Sequence, residues 1–375
     1  MDLLLSPEQE LLQASASKLL AEQGGVKRMR HLRRKSAGFE RNVHEKMALA
    51  GWFGVLVPPE QGGLGLGLTE LALLLMETGR ALAPEPVAPA AIAAYALSNG
   101  ESSAASSSLL EKVVSGEMIV SLAIEGDGSE LDNTRASLAA VFSSGRIVLD
   151  GIRAGVPLAS ASDGFIVAAW SNDDPVLCYV SKSAIGLTVD EHETVDGRSY
   201  GTLTFRAVSA DHLIAAPAHA APVVQALYDM MLIATAAELV GVMTAALDLT
   251  VEYLKIRKQF GKPIGSFQAL QHRAVDNLVQ VISTRTLLFQ ICDQGIVPSS
   301  EMASALKAYA AGEALALTKS AIQMHGAIGF TDEHDVGLYL KRAMWLAAYL
   351  GNESAHRKRF DRLSQFEPVE LRQDH

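Results

Sequence analysis

The chain has 375 residues, 49% hydrophobic and 20% charged, a balance that supports buried cores and excludes a disordered or low-complexity protein. Its formal net charge of -10 at pH 7 excludes nucleic acid as the main partner, because phosphate is repelled. Two cysteines far apart, Cys178 and Cys292, make neither a disulfide framework nor a zinc site, so a reducing cytoplasm is expected.

Met1 to Ser6 lack a basic segment followed by an apolar core, so no signal peptide is expected. From Pro7 to about Gly116 the pattern is helical. Leu12, Ala16, Leu19 and Leu20 recur at helical spacing, and Leu68 to Leu82 form a second run that stops before Pro84. The basic cluster Lys27, Arg28, Arg30, Arg33, Arg34 and Lys35 reads as a solvated helix face. Gly51 to Gly65 is a turn-rich connection, and Glu101 to Ser108 an exposed loop or frayed helix start.

From about Met118 to Ile214 short runs such as Ile119–Ile124, Gly164–Ala169 and Leu203–Phe205 are bounded by Gly, Asp and Ser, predicting strands. From about Pro222 the chain is helical again. Met230 to Leu247 is its longest apolar stretch, but Glu238 interrupts it, so a buried bundle helix is expected rather than a membrane span. The predicted fold is α+β. An N-terminal helical domain covers 1–117, an antiparallel β-sandwich or barrel 118–215, and a C-terminal four-helix bundle 216–375.

Gly63-Leu64-Gly65-Leu66-Gly67 lacks the strand, helix and βαβ unit that a dinucleotide fingerprint requires, and is read as a backbone turn. His325 and His334 are spaced too loosely for a helical metal pair, so no metal is expected.

Three stretches resemble the acyl-CoA dehydrogenase family. Val251 to Gln268, with Arg257-Lys258-Gln259-Phe260-Gly261 at its centre, resembles one signature of that family; Gln323 to Thr331 resembles a second. Gly51-Trp52 through Gly65 is similar to the family's N-terminal Gly-Trp…Pro-Glu…Gly-Gly segment. The resemblance implies FAD as cofactor, with contacts from Arg257, Phe260, Ile264 and Gln268 to the flavin nucleotide of a neighbouring subunit. Gln323 and Gly326 are implied at the other end of the cofactor, and Ser129 as a further contact. A forked arginine suits a pyrophosphate, and Gly261 and Gly265 let the connector turn tightly. A homo- or heterotetramer is therefore expected, since the site is completed only on assembly.

The implied reaction is α,β-dehydrogenation of an acyl-CoA thioester, with electrons passing to an electron-transferring flavoprotein. Neither familiar base position holds an acid. One is Leu350, in Tyr349-Leu350-Gly351-Asn352; the other falls near Met231 on the long helix. Two carboxylates are candidate substitutes. Glu353 lies three residues on, where Asn352 as an N-cap is the structural alternative. Glu238 shares a face with Met231 and Thr235, and pairing with an arginine such as Arg342 is its alternative. The segment Glu125 to Glu130 is shortened, and Arg153-Ala154-Gly155-Val156-Pro157 lacks the family's flavin-backing tryptophan and threonine. The chain is most similar to the small subunits of bacterial heteromeric acyl-CoA dehydrogenases. That likeness implies bulky substrates and leaves two functions open: an active enzyme, or a non-catalytic partner that contributes to an interface FAD site.

Overall fold

A computed structural model of the chain describes residues 5–33, 38–101, 103–124, 138–143, 145–172 and 174–364. Helices α1 (Pro7–Glu22), α2 (Gly25–Leu32), α3 (Arg41–Leu49), α4 (Leu68–Ala81), α5 (Val87–Ser98) and α6 (Ala104–Val114) form the first region. Ser6 starts α1 with a capping box: its hydroxyl accepts from the Gln9 N–H while the Gln9 side chain accepts from the Ser6 N–H.

The middle region holds β1 (Val120–Ala123), β2 (Leu138–Ser143), β3 (Arg146–Pro157), β4 (Gly164–Ser171), β5 (Asp174–Ser181), β6 (Leu187–Glu193), β7 (Ser199–Ser209) and β8 (His212–Ala215). They make one sheet in the order β6-β7-β3-β2-β4-β5-β8, with β1 beside β4. The sheet is mixed rather than purely antiparallel, because β1 and β2 both run parallel to β4. A parallel pair needs a crossover, and the β2–β3 hairpin lies within the one that joins β1 to β4. Alternate residues of β4 and β5 feed two cores. Phe165, Val167, Val176 and Cys178 pack within the sheet's own concavity, whereas Ile166, Ala168, Leu177 and Tyr179 join the helical core.

The last region is built on α7 (Pro217–Ile256), α8 (Gln268–Cys292), α9 (Ser300–His325), α10 (Val336–Ala348) and α11 (Glu353–Leu363). Among the described residues α7 is the one helix long and apolar enough to cross a membrane, and 83% of its apolar window is buried inside the fold. It is the central helix, packed between α4 on one side and α9 on the other. The α4–α7 approach is close enough to require glycine. A Cβ on Gly79 would sit 2.2 Å from the Glu238 carbonyl, and one on Gly241 would sit 1.9 Å from that of Met76.

The basic cluster is not a solvated face. Arg28 forms a bidentate pair with Glu85 at 2.6 and 2.9 Å, Arg30 reaches Asp335 at 2.8 Å, and Arg33 pairs with Asp332. Charge density alone did not reveal these partners, which lie tens to hundreds of residues away. Residues 34–37 lie outside the described residues.

Candidate active site

The two glycine-bearing motifs meet at one end of the helical bundle. The Arg257 N–H closes α7 on the Tyr253 carbonyl at 2.9 Å, and the chain then turns through the hairpin of β9 (Lys258–Gln259) and β10 (Lys262–Pro263). Phe260 and Gly261 form its two-residue loop with φ of 53° and 78°. Such loops demand left-handed residues at both places, which glycine supplies freely and phenylalanine does not. The Phe260 ring is 90% exposed and touches Phe267 edge-on at 6.1 Å. The Ile264 N–H then bonds the Arg257 carbonyl at 2.8 Å, and Gln268 opens α8 with its side chain exposed.

At the end of α9, Gly326 has φ 67° and ψ -142°, a conformation open only to glycine, and nothing lies within 4 Å of where a Cβ would stand. Tyr253 stacks on His325 with centroids 4.5 Å apart, and His325 meets His334 at 4.4 Å. These rings hold the C-terminal ends of α7 and α9 side by side. Arg257, Phe260, Gln268, Gln323 and Gly326 therefore gather at one end of the bundle, all exposed. The Arg257 guanidinium has no salt bridge or side-chain hydrogen bond among the described residues. Ala327, next to Gly326, is also exposed.

The interior presents a different picture. Met231, Ala234, Thr235 and Glu238 of α7 face Pro86, Leu158, Tyr200 and Tyr349 across a partly open cavity of about 40 Å³. That is room for a few waters. Glu238 is committed to two arginines: Arg342 Nη1 donates to it at 2.6 Å and Arg198 Nη1 at 3.1 Å. Asp196 completes a quartet, 2.6 Å from Arg342 and 2.8 Å from Arg198. Burial alone would raise the Asp196 carboxyl, but Arg198 and Arg342 together outweigh it and hold it below the ordinary value. Burial works against the Arg198 charge as well, and Asp196 and Glu238 overcome it, so its pKa is raised. Arg342 also donates to the Leu82 and Ala83 carbonyls at 3.1 and 3.3 Å, so the quartet knits all three regions together. The sequence pointed to Arg342. It did not point to Asp196 and Arg198, whose only signal is an Asp-Gly-Arg turn between β6 and β7.

Leu350, at the familiar base position, is 1% exposed with φ 60°. Its turn is tightly held. The Leu350 carbonyl accepts from the Tyr228 hydroxyl at 2.7 Å and from His356 Nε2 at 2.9 Å, while Lys307 Nζ donates to the Ala347 and Gly351 carbonyls at 3.1 and 2.9 Å. Asn352 caps α11, accepting from the Ala355 N–H at 3.0 Å. Glu353 begins that helix, pairs with Arg357 at 2.7 Å, and borders an open cleft of about 540 Å³ with Ala311, Leu315 and Met344. Glu353 and Glu238 thus line separate cavities. The structure does not bring the two candidate bases together.

Known proteins bear on this arrangement. Residues 6–117 match the family described as acyl-CoA dehydrogenase, N-terminal domain, and residues 222–362 the one described as acyl-CoA dehydrogenase, C-terminal domain. The chain belongs to the acyl-CoA dehydrogenase family. Acyl-CoA dehydrogenase IpdE2 of Mycolicibacterium smegmatis is 32% identical to it over 92% of this chain and 96% of its own length. Acyl-CoA dehydrogenase FadE34 of Mycobacterium tuberculosis is 31% identical over 87% of this chain and 42% of its own length. Among solved structures, a variant of the Tcur3481–Tcur3483 steroid ACAD is 30% identical, with a TM-score of 0.87 over 95% of this chain and 97% of that one.

FAD is the cofactor of the acyl-CoA dehydrogenase family, and the residues fit it unevenly. An exposed arginine with no salt bridge among the described residues and the open backbone at Gly326 suit a pyrophosphate and its nucleotide. On the sheet, β3 breaks register between Arg153 and Val156, and Gly155 sits at φ 69°. Arg153 is wholly buried, with Nε donating to the Ala168 carbonyl at 3.0 Å and its guanidinium 5.4 Å from the Trp170 ring centre. Residues 153–157 therefore offer an isoalloxazine neither an aromatic ring nor a hydroxyl. Ser129 lies outside the described residues.

Proposed function

We propose that this chain serves FAD-dependent α,β-dehydrogenation of a bulky acyl-CoA thioester as the subunit that completes an FAD site on a companion chain. The assembly is a cytoplasmic tetramer that passes electrons to an electron-transferring flavoprotein. When bound, FAD supplies the acceptor for the β-hydride. In this chain Arg257 neutralises the pyrophosphate, Phe260, Ile264 and Gln268 line the nucleotide, and Gln323 and Gly326 meet the other end of the cofactor. The carrying observation is a contrast within one molecule. Arg257 is exposed and its guanidinium has no salt bridge or side-chain hydrogen bond among the described residues, while the interior cavity is about 40 Å³ and its carboxylate is held by two arginines.

An apolar stripe on α8 supports assembly. Val275, Leu278, Val279 and Ile282 recur at helical spacing and are 46–57% exposed. Stripes of this kind on a helix are normally covered. Similarity to a steroid ACAD and the likeness to heteromeric small subunits support a polycyclic or similarly large acyl group.

The test is to purify the chain alone and together with companion chains of the same fold. The expected result is a colourless single chain and a yellow complex that an acyl-CoA bleaches. A single chain that is yellow and bleached by substrate overturns the proposal. It would favour the other function, an independent enzyme using Glu353, whose carboxylate borders the roomier cleft. Glu353→Gln would then abolish bleaching.

A further inference from the structure

The segment just after the nucleotide turn is acidic: Asp332, Glu333 and Asp335 follow Gly326 within nine residues. FAD held against Gly326 carries a pyrophosphate, which these carboxylates would repel if they were free to swing toward it. They are not free. Arg30 Nε donates to Asp335 at 2.9 Å, and its Nη1 donates to the Asp332 carbonyl. Arg33 grips the Asp332 carboxylate through both terminal nitrogens. Asp332 and Asp335 are thereby turned onto α2 and neutralised there. The same loop carries His334, whose ring packs against His325 at 4.4 Å and lies 5.9 Å from Tyr253, the pair that sets α7 and α9 side by side. Helix α2 is itself firmly seated. Met29 and Leu32 are buried, and a Cβ on Gly197 would sit 2.6 Å from the Arg33 Cβ.

We infer that Arg30 and Arg33 are positioning residues for the FAD-binding end: by clamping Asp332 and Asp335 to α2 they fix the Gly326 turn and keep these two carboxylates from the pyrophosphate. The inference rests on the assignment of Gln323 and Gly326 to FAD made above. Neither arginine touches the cofactor. Both pairs are partly exposed, and such pairs contribute little to global stability. The clamp should therefore be separable from folding.

The experiment uses the assembled protein with Arg30→Ala and Arg33→Ala combined, beside Arg257→Ala and a charge swap of Arg33→Asp with Asp332→Arg. Hydrogen exchange is followed across 326–336 without FAD, FAD affinity is measured by flavin fluorescence titration, and Tm is recorded. The expected result is faster exchange confined to that segment, a 5- to 20-fold weaker FAD affinity and little change in Tm, with the swap restoring most of the affinity. Unchanged exchange at 326–336 overturns the clamp. Faster exchange with unaltered FAD affinity, while Arg257→Ala still weakens FAD, reduces it to a purely structural contact and overturns the positioning role. If Arg257→Ala and the double variant both leave FAD affinity unaltered, the assignment of this end to FAD has failed and the inference falls with it.

Discussion

Glu238 distinguishes a brace from a base. Two carboxylates and two guanidiniums balance in the quartet, so removing Glu238 leaves one uncompensated positive charge beneath α10. Arg342 keeps Asp196 and two backbone carbonyls; Arg198 keeps Asp196 and the face of Tyr200. Breaking a buried pair on one side costs about 3–5 kcal/mol, and the 12% exposure of the Glu238 side chain places this case near 3 kcal/mol. Glu238→Gln keeps an acceptor and loses only the charge, so about 1.5–2 kcal/mol is expected. Urea unfolding at one fixed concentration of assembled protein measures both. A double-mutant cycle of Glu238→Ala with Arg342→Ala should show a favourable pair coupling of about 1–3 kcal/mol. The reasoning is refuted if Glu238→Gln unfolds within about 0.5 kcal/mol of the parent yet flavin bleaching by substrate is lost. That outcome makes Glu238 the base.

Arg257→Ala removes a charge-assisted contact worth about 1.5–3 kcal/mol, so FAD affinity of the assembly should fall by about ten- to a hundredfold with folding intact; fluorescence titration measures it. Val279→Asp places a charge in the α8 stripe, and sedimentation should show the tetramer dissociating while helical circular dichroism is kept. Stability should also fall in acid. Burial pushes His44 down to about 4 and, with Lys307 adding to it, His356 down to about 3. The unfolded histidines take up protons near the ordinary 6.5, so between that value and the folded values the unfolded state binds more protons and stability falls as pH falls. At pH 5 each histidine should have cost about 2 kcal/mol relative to neutral pH. His44, stacked on Phe53 at 4.3 Å with no partner for either ring nitrogen among the described residues, can be tested as His44→Leu, which should flatten its share of that slope in urea titrations.

Much of this structure was legible in the sequence, for identifiable reasons. Helical spacing and Pro84 marked α4, and the change to short β-rich runs marked the sheet. The Arg257 and Gln323 stretches were recognisable because residue type and spacing together resemble the family's signatures. What stayed hidden was long-range pairing. Nothing local to Arg33 indicates Asp332, and nothing near Glu238 indicates Asp196. Both become neighbours only after the regions pack. Strand direction was hidden too, since β1 and β4 alternate in the same way whether they pair parallel or antiparallel.

Phe260 carries the case for a partner furthest. A non-glycine residue held at φ 53° costs about 1–2 kcal/mol, and burial would ordinarily offset it. Here the ring is 90% exposed, so its own chain returns almost nothing. Such a cost is offset either by the rest of the fold or by a partner. Phe260→Gly therefore separates the two states. In the isolated chain it relieves the turn, while glycine's freer unfolded state offsets part of the gain, so stability should stay level or rise by up to about 1 kcal/mol. In the assembly it removes an aromatic face from the nucleotide, and FAD affinity should drop by about tenfold, roughly the 1.4 kcal/mol that one ring contact supplies. A variant that destabilises the isolated chain by more than about 1 kcal/mol, or leaves FAD affinity unchanged, would show that Phe260 serves its own fold and not a partner's cofactor.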